Sequence, residues 1–295
     1  MFRQSLTICA SLALAGSFAV AGDIPSAGAK LSAAEIVEKN VAARGGLQAW
    51  RAVHAMSLEG KLGAGGNQRA ALPVPGVERR SAARPAQQAV FSRPAEEVYL
   101  PFVMKLQRPR KMRFELKFNG QTAVQVFDGA QGWKLRPFLN RREVEPYTAD
   151  EMKVASAQAD LDGPLVDYAA KGTQVELAGT EKVEDRDTYK LKLTMKNGEA
   201  IHVWIDAHSF LEAKIEGQPR RLDGVYHPVE VYFRDFRTVS GLQIPFVLET
   251  KVLPVAKNAI GMRDVAVPTE KIVVEKVVVN PNLEESQFSK PASTT

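Results

Sequence analysis

Apolar and polar residues alternate in many short segments of the chain. Residues 111–118 place Met112, Phe114 and Leu116 on one side of such a repeat and charged residues on the other. A period of two is typical of strands with one buried face. Comparable segments lie at 57–62, 98–106, 131–136, 173–178, 189–196, 201–206, 210–216, 225–236, 244–252 and 270–279. We expect about 11 strands in a mainly β, antiparallel meander with short turns.

Two Asn-Gly pairs mark turns between consecutive strands, at Asn119-Gly120 and Asn197-Gly198. A two-residue turn at either place would set apolar residues opposite polar ones. Because a slip of one residue moves every side chain to the other face, the hydrophobic pattern selects the register. We therefore expect a three-residue loop with a glycine bulge at 118–120 and at 196–198. The pairs expected from this register are Met112–Val126, Phe114–Val124, Leu191–Val203 and Leu193–Ile201.

Two helices have clear start signals. Ser32 and Glu35 have the spacing of a capping box, and Gly45-Gly46 ends the apolar stripe that follows. Thr148 and Glu151 form a second capping box, which predicts another helix to about residue 160. Few helices are therefore available to cover a wide sheet.

A sheet of this width twists, and two outcomes fit its apolar face. The sheet closes into a filled barrel, or it curls partway with the helices across the opening. The second outcome leaves a groove that would accept acyl chains, because each buried methylene contributes roughly 0.8 kcal/mol. We predict that inward-facing apolar residues line this groove: Met112, Phe114, Leu116, Val124, Val126, Leu191, Leu193, Ile201, Val203, Phe246 and Leu248.

The first 21 residues have the features of a cleaved secretory signal. Arg3 precedes an apolar run over residues 6–20. Ala19, Val20 and Ala21 at its end have the small-x-small pattern of a signal-peptidase cleavage site. Cys9, the single cysteine, lies inside this run and is poorly placed for lipidation. We expect a periplasmic protein without a lipid anchor and without disulfides.

The remaining chain is predicted to form a single domain over 32–285, between a flexible lead-in at 22–31 and a polar tail at 286–295. An Ala-, Pro- and Arg-rich loop is expected as an insertion at 64–93. The net charge of the protein is +5. Residues 64–113 hold ten Lys or Arg and three Asp or Glu, a local excess of 10 − 3 = +7. This stretch is either a solvated loop or a contact with a membrane surface or an acidic protein partner.

Several short motifs follow one another along residues 32 to 280. They are Ala34–Val37, Ala43–Gly46 with Trp50 and Val53, Arg108–Arg113, Phe127–Gly129 with Gly132-Trp133, Val203–Asp206 and Gly241–Phe246. In this order they resemble the motifs of LolA-like outer-membrane lipoprotein-sorting proteins. The resemblance implies a strongly curved antiparallel sheet that forms an unclosed barrel, with helices over a concave apolar face. It also implies periplasmic transport of lipid-modified proteins or related lipids.

Candidate chemistry is sparse. His202, Asp206 and His208 lie close in sequence, but we interpret His202 and Asp206 as polar-face residues of an exposed strand and expect no metal site. We also expect no cofactor, no catalytic residues and no nucleic-acid partner. Trp204 falls on the polar face opposite Lys190, where a cation–π contact is expected. The expected function is therefore a carrier of lipid or of lipoprotein acyl chains, and the alternative is an envelope sensor that uses the same fold to regulate a partner.

Overall fold

The computed structural model describes residues 31–63, 98–137, 141–222, 224–255 and 269–293. The helices in these ranges are α1 Ala33–Ala43, α2 Leu47–Arg51, α3 Ala149–Gln158 and a 3-10 helix at Glu285–Phe288. The strands are β1 Ala55–Gly63, β2 Tyr99–Gln107, β3 Lys111–Phe118, β4 Gln121–Phe127, β5 Gly132–Arg136, β6 Arg141–Pro146, β7 Gln174–Val183, β8 Arg186–Thr194, β9 Ala200–Asp206, β10 Glu212–Leu222, β11 Val225–Val239, β12 Leu242–Val252 and β13 Glu270–Val279. The expected signal peptide and the insertion at 64–93 lie outside the described residues.

The strands form one antiparallel sheet in the order β6-β5-β4-β3-β2-β1-β13-β12-β11-β10-β9-β8-β7. Two meanders, β1 to β6 and β7 to β13, join where β1 pairs with β13. Because β6 and β7 are the two edges, the sheet is not closed into a barrel. The prediction of a mainly β fold with an unclosed, curved antiparallel sheet is confirmed. No helix among the described residues is long and apolar enough to cross a bilayer.

The register prediction was right at one hairpin and wrong at the other. At the β8–β9 hairpin, Leu193 pairs with Ile201 and Leu191 with Val203, as expected. At the β3–β4 hairpin, Phe118 instead pairs with Gln121 across a two-residue turn. The pairs there are Met112–Phe127, Phe114–Gln125 and Leu116–Ala123.

Backbone conformation and packing explain the two-residue turn. Asn119 and Gly120 both have positive φ, 47° and 72°, which is the combination that a type I′ turn requires. The prediction assumed one apolar face, but β4 is apolar on both. Val124 and Val126 point away from Met112 and pack against Phe288 of the 3-10 helix. The apolar pattern of β4 therefore could not select a register.

Two of the helices lie on one face of the sheet, which we call the inner face. Met152 and Ala155 of α3 pack against Leu106 and Met112 of β2 and β3. At the other side, Asn40 of α1 donates a hydrogen bond to the carbonyl of Phe210 at 2.8 Å. Both predicted capping boxes are confirmed: Ser32 with Glu35 in α1, and Thr148 with Glu151 in α3.

The opposite face, which we call the outer face, is also covered in part. Phe288 lies on it and is only 2% exposed, although sequence analysis placed this residue in the polar tail. Trp204 lies on the same face between two lysines, with Lys190 Nζ 4.9 Å and Lys214 Nζ 4.1 Å from its ring centre. The predicted contact between Trp204 and Lys190 is therefore confirmed.

Candidate apolar binding face

Five apolar side chains form a continuous row across the inner face. Direct strand pairing joins Leu100 to Leu62, Leu62 to Ile272, Ile272 to Leu248, and Leu248 to Phe233. We call these five residues the apolar row. It crosses five neighbouring strands, which corresponds to about 19 Å at a strand spacing near 4.8 Å. All five side chains are only partly buried, so an apolar surface of this length is accessible to a ligand.

Aromatic residues extend the apolar surface beyond β2. Phe102 and Phe114 stack on the inner face with ring centres 5.7 Å apart. Leu116 pairs directly with Phe102 and is partly buried, as Phe114 is. The accessible inner face therefore continues from the apolar row onto β3.

The predicted lining residues fall into three groups. Phe114, Leu116, Ile201 and Leu248 are partly buried on the inner face. Five others are buried within the protein: Met112, Leu191, Leu193, Val203 and Phe246. Val124 and Val126 lie on the outer face, because the β3–β4 register differs from the predicted one. Four members of the apolar row, Leu62, Leu100, Phe233 and Ile272, were missed, although each belongs to a segment predicted as a strand or adjoins one.

The family-like motifs meet where the helices attach to the sheet. Gly45 approaches the turn before β12 so closely that a Cβ there would stand 2.4 Å from the carbonyl oxygen of Gly241. The backbone N–H of Gln243 donates to the carbonyl of Arg44 at 3.0 Å. The Arg44 guanidinium stacks 4.3 Å from the centre of the Trp50 ring and lies 3.3 Å from Glu212. These contacts hold α1 and α2 over one end of the inner face.

A buried carboxylate fixes the segment after α3 to the same end. Asp162 is 2% exposed, and its carboxylate accepts hydrogen bonds from Arg108 at 2.8 Å and Lys171 at 3.1 Å. Arg44 donates to the carbonyl of the same residue at 2.9 Å. Burial raises the pKa of Asp162, but the hydrogen bonds with Asp160 and Arg108 and the charge of Lys171 outweigh burial and lower it to about 2. We call Arg44, Arg108, Asp160, Asp162 and Lys171 the Asp162 network.

An ion pair lies beside the apolar row on the inner face. Glu270 of β13 pairs with Thr250, two residue pairs beyond Ile272 and Leu248. Its carboxylate accepts two hydrogen bonds from Arg220 of β10, at 2.5 and 2.7 Å. The strands β11 and β12 separate these two residues in the sheet, so the pair spans the inner face above them. The two side chains are 38% and 40% exposed.

Two hollows occur away from the apolar row. One, of about 460 Å³, opens where β10 leaves β9 and includes Ile201, Gly217 and Val229 in its wall. The other, of about 380 Å³, lies under the C-terminal segment and includes Trp133 and Phe288. Of the predicted lining residues, Ile201 contributes to the first hollow. Neither hollow includes a residue of the apolar row in its wall.

The described cations of the basic stretch, residues 64–113, contact other residues of this protein. Five of its ten cations lie in the described residues, and each has an internal partner. The pairs are Lys105–Gln287, Arg108–Asp162, Arg110–Ser156, Lys111–Glu285 and Arg113–Glu115. The other five cations of the stretch lie outside the described residues.

The histidine and aspartate noted in the sequence have structural partners. His202 Nδ1 lies 2.9 Å from Glu216, and Asp206 accepts hydrogen bonds from the backbone N–H groups of His208 and Ser209. Asp206 thus closes the turn between β9 and β10. Within the described ranges, no three His, Cys, Asp or Glu side chains are grouped as a metal site would need.

Comparison with known proteins identifies the fold. No family model and no curated protein matches the sequence. Among solved structures, a LolA superfamily protein from Nitrosomonas europaea aligns with a TM-score of 0.52 and 12% identity, over 88% of this chain and 99% of that chain. An outer membrane lipoprotein-sorting protein domain from Vibrio parahaemolyticus aligns with a TM-score of 0.50 and 13% identity, over 87% and 95%. A DUF1329 family protein from Desulfovibrio piger gives 0.50 and 12%, over 87% and 97%. The chain therefore has a LolA-like fold.

Proposed function

We propose that this protein is a periplasmic carrier that binds an acyl chain of a lipid, or of a lipid-modified protein, along the apolar row. The observation that carries the proposal is the row itself. Five apolar side chains in direct register stay partly exposed on the face that the helices leave open. An accessible apolar strip of this size typically marks a binding surface.

The LolA-like fold supports the same proposal. One of the solved structures it resembles is named as a lipoprotein-sorting domain. We propose a periplasmic location because of the expected signal sequence. We further propose that the basic residues of 64–93 contact a membrane surface or a protein partner. We propose binding rather than catalysis, because the buried carboxylate with a strongly lowered pKa, Asp162, is used in an ion-pair network that holds the helices.

Two adjacent residues of β13 provide a test with a matched control. Ile272 belongs to the apolar row, whereas Val273 pairs with Lys61 and Val247 on the outer face, and both residues are partly buried. Ile272→Glu should weaken binding of the fluorescent fatty acid cis-parinaric acid by about tenfold or more, because the new carboxylate would be desolvated by the acyl chain. Val273→Glu adds the same charge to the same strand and should leave binding unchanged.

Two results would contradict the proposal. The first is a purified mature chain that neither binds the fatty acid nor yields lipid when its organic extract is analysed by mass spectrometry. The second is equal weakening by the two variants, because a general effect on the strand would then replace an effect on the inner face. Circular dichroism of both variants checks that the sheet is retained.

A further inference from the structure

The ion pair between Arg220 and Glu270 lies next to the apolar row. It lies on the apolar inner face, and Glu270 is two residues from Ile272 of the apolar row, about 7 Å along the strand. The pair of Lys214 with Glu230, in contrast, lies on the outer face. A ligand with an acyl chain on part of the apolar row would therefore have its headgroup within reach of a guanidinium if the chain begins beside Ile272.

Arg220 holds Glu270 with a geometry that arginine also uses to bind anionic ligands. Arg220 uses both terminal nitrogens to hold both carboxylate oxygens of Glu270. This planar fork matches a carboxylate or a phosphate group. More than a third of each side chain is exposed, so an exchange of one anion for another requires no opening of the core.

We propose that Arg220 binds the anionic headgroup of the ligand and that Glu270 occupies this site in the free protein. The ligand class is a lipid with a free carboxylate or phosphate next to its acyl chain. On binding, the headgroup replaces the Glu270 carboxylate in the fork of Arg220, while the chain lies on the apolar row. This inference rests on the proposed carrier function and specifies that the ligand has an anionic headgroup.

Two probes with the same acyl chain, cis-parinaric acid and its methyl ester, are compared at pH 8. They separate the contribution of the headgroup to the binding affinity from that of the acyl chain. The wild type should prefer the acid. Arg220→Met should remove this preference and leave the affinity for the ester unchanged. Glu270→Gln removes the internal competitor and should raise the affinity for the acid about fivefold, with no change for the ester.

Lys61→Met is the control for a general charge effect. Lys61 lies on the outer face of a strand that also contributes to the apolar row, and it pairs with Glu275. The variant removes one cation from the same sheet and should leave the preference for the acid intact.

Competition by lysophosphatidic acid and by lysophosphatidylcholine then distinguishes a phosphate headgroup from a carboxylate headgroup. Arg220-dependent displacement by the first lipid alone assigns a phosphate headgroup, and displacement by neither assigns a carboxylate.

The outcomes separate this inference from the carrier proposal. Equal binding of acid and ester by the wild type and by every variant overturns headgroup recognition and leaves the carrier in place. Equal loss of both probes in Arg220→Met overturns it too, because Arg220 would then only hold β10 near β13. Weaker binding of the acid by Glu270→Gln would mean that Glu270 assists the ligand, which also contradicts the inference. Failure of both probes with the wild type refutes this inference, and it refutes the carrier as well when the organic extract of the purified protein contains no lipid.

Discussion

Replacing Asp162 by Asn tests whether buried charge holds the helical cover on the sheet. The substitution keeps the shape of the side chain but removes the negative charge that faces Arg108 and Lys171. One amide oxygen remains as an acceptor, while the amide N–H groups now face cationic donors. The variant therefore leaves Arg108 without its carboxylate partner, whereas Lys171 loses one of two, because it also pairs with Asp160 at 2.9 Å.

The expected loss of unfolding free energy follows from the exposure of the partners. Each hydrogen bond to a charged group contributes about 1.5–3 kcal/mol, and breaking a buried pair costs about 3–5 kcal/mol. Arg108 and Lys171 are 34% and 21% exposed, so water can solvate both cations in part. We expect Asp162→Asn to cost about 3 kcal/mol at neutral pH.

The pH dependence gives the prediction a second readout. The pKa of Asp162 is about 2 in the folded chain, against an ordinary value of 3.8. Because the folded pKa is the lower one, the stabilisation is complete above about pH 4 and is lost as the pH falls towards 2. The difference between the wild type and Asp162→Asn should narrow across this window.

The assay is urea unfolding of the mature chain, followed by tryptophan fluorescence and circular dichroism. Asp167→Asn is the matched control, because Asp167 pairs with Arg51, whose side chain is 50% exposed. Asn also tolerates the positive φ of residue 167. Because water screens this exposed pair, Asp167→Asn should cost much less unfolding free energy than Asp162→Asn. Equal losses in the two variants would refute the assignment of the helical attachment to the Asp162 network.

Two further substitutions test other contacts of the fold. Gly45→Ala should cost at least about 2 kcal/mol, because its Cβ would collide with the carbonyl of Gly241 at a φ of 113°. Gly46→Ala has a similar φ but open space, so thermal unfolding of the two variants isolates the collision. Phe288→Ala should cost about 3 kcal/mol in urea unfolding, because the ring is 2% exposed, and it should leave fatty-acid binding unchanged, since the ring lies on the outer face. A loss of binding in Phe288→Ala would contradict the division into two faces.

The alternation of the sequence predicts most of the sheet, and its failures have local causes. β6 was missed because the sequence Arg-Arg-Glu-Val-Glu-Pro has no apolar alternation, as an edge strand has little apolar surface to bury. The pairing of β1 with β13 was not predicted either. These strands are joined by no turn, and alternation within a strand carries no information about a neighbour more than 200 residues away.

The candidate site was predicted less well than the fold, because period-two patterning separates faces but not depths. Leu191 and Leu248 have the same inward alternation, yet Leu191 is buried and Leu248 is partly exposed. The difference depends on where helices and neighbouring segments cross the inner face. Long-range contacts such as Gly45 against Gly241 and Arg108 against Asp162 decide that position. A ligand face is the part of the apolar surface that such contacts leave uncovered, so it becomes visible only once the cover has been placed.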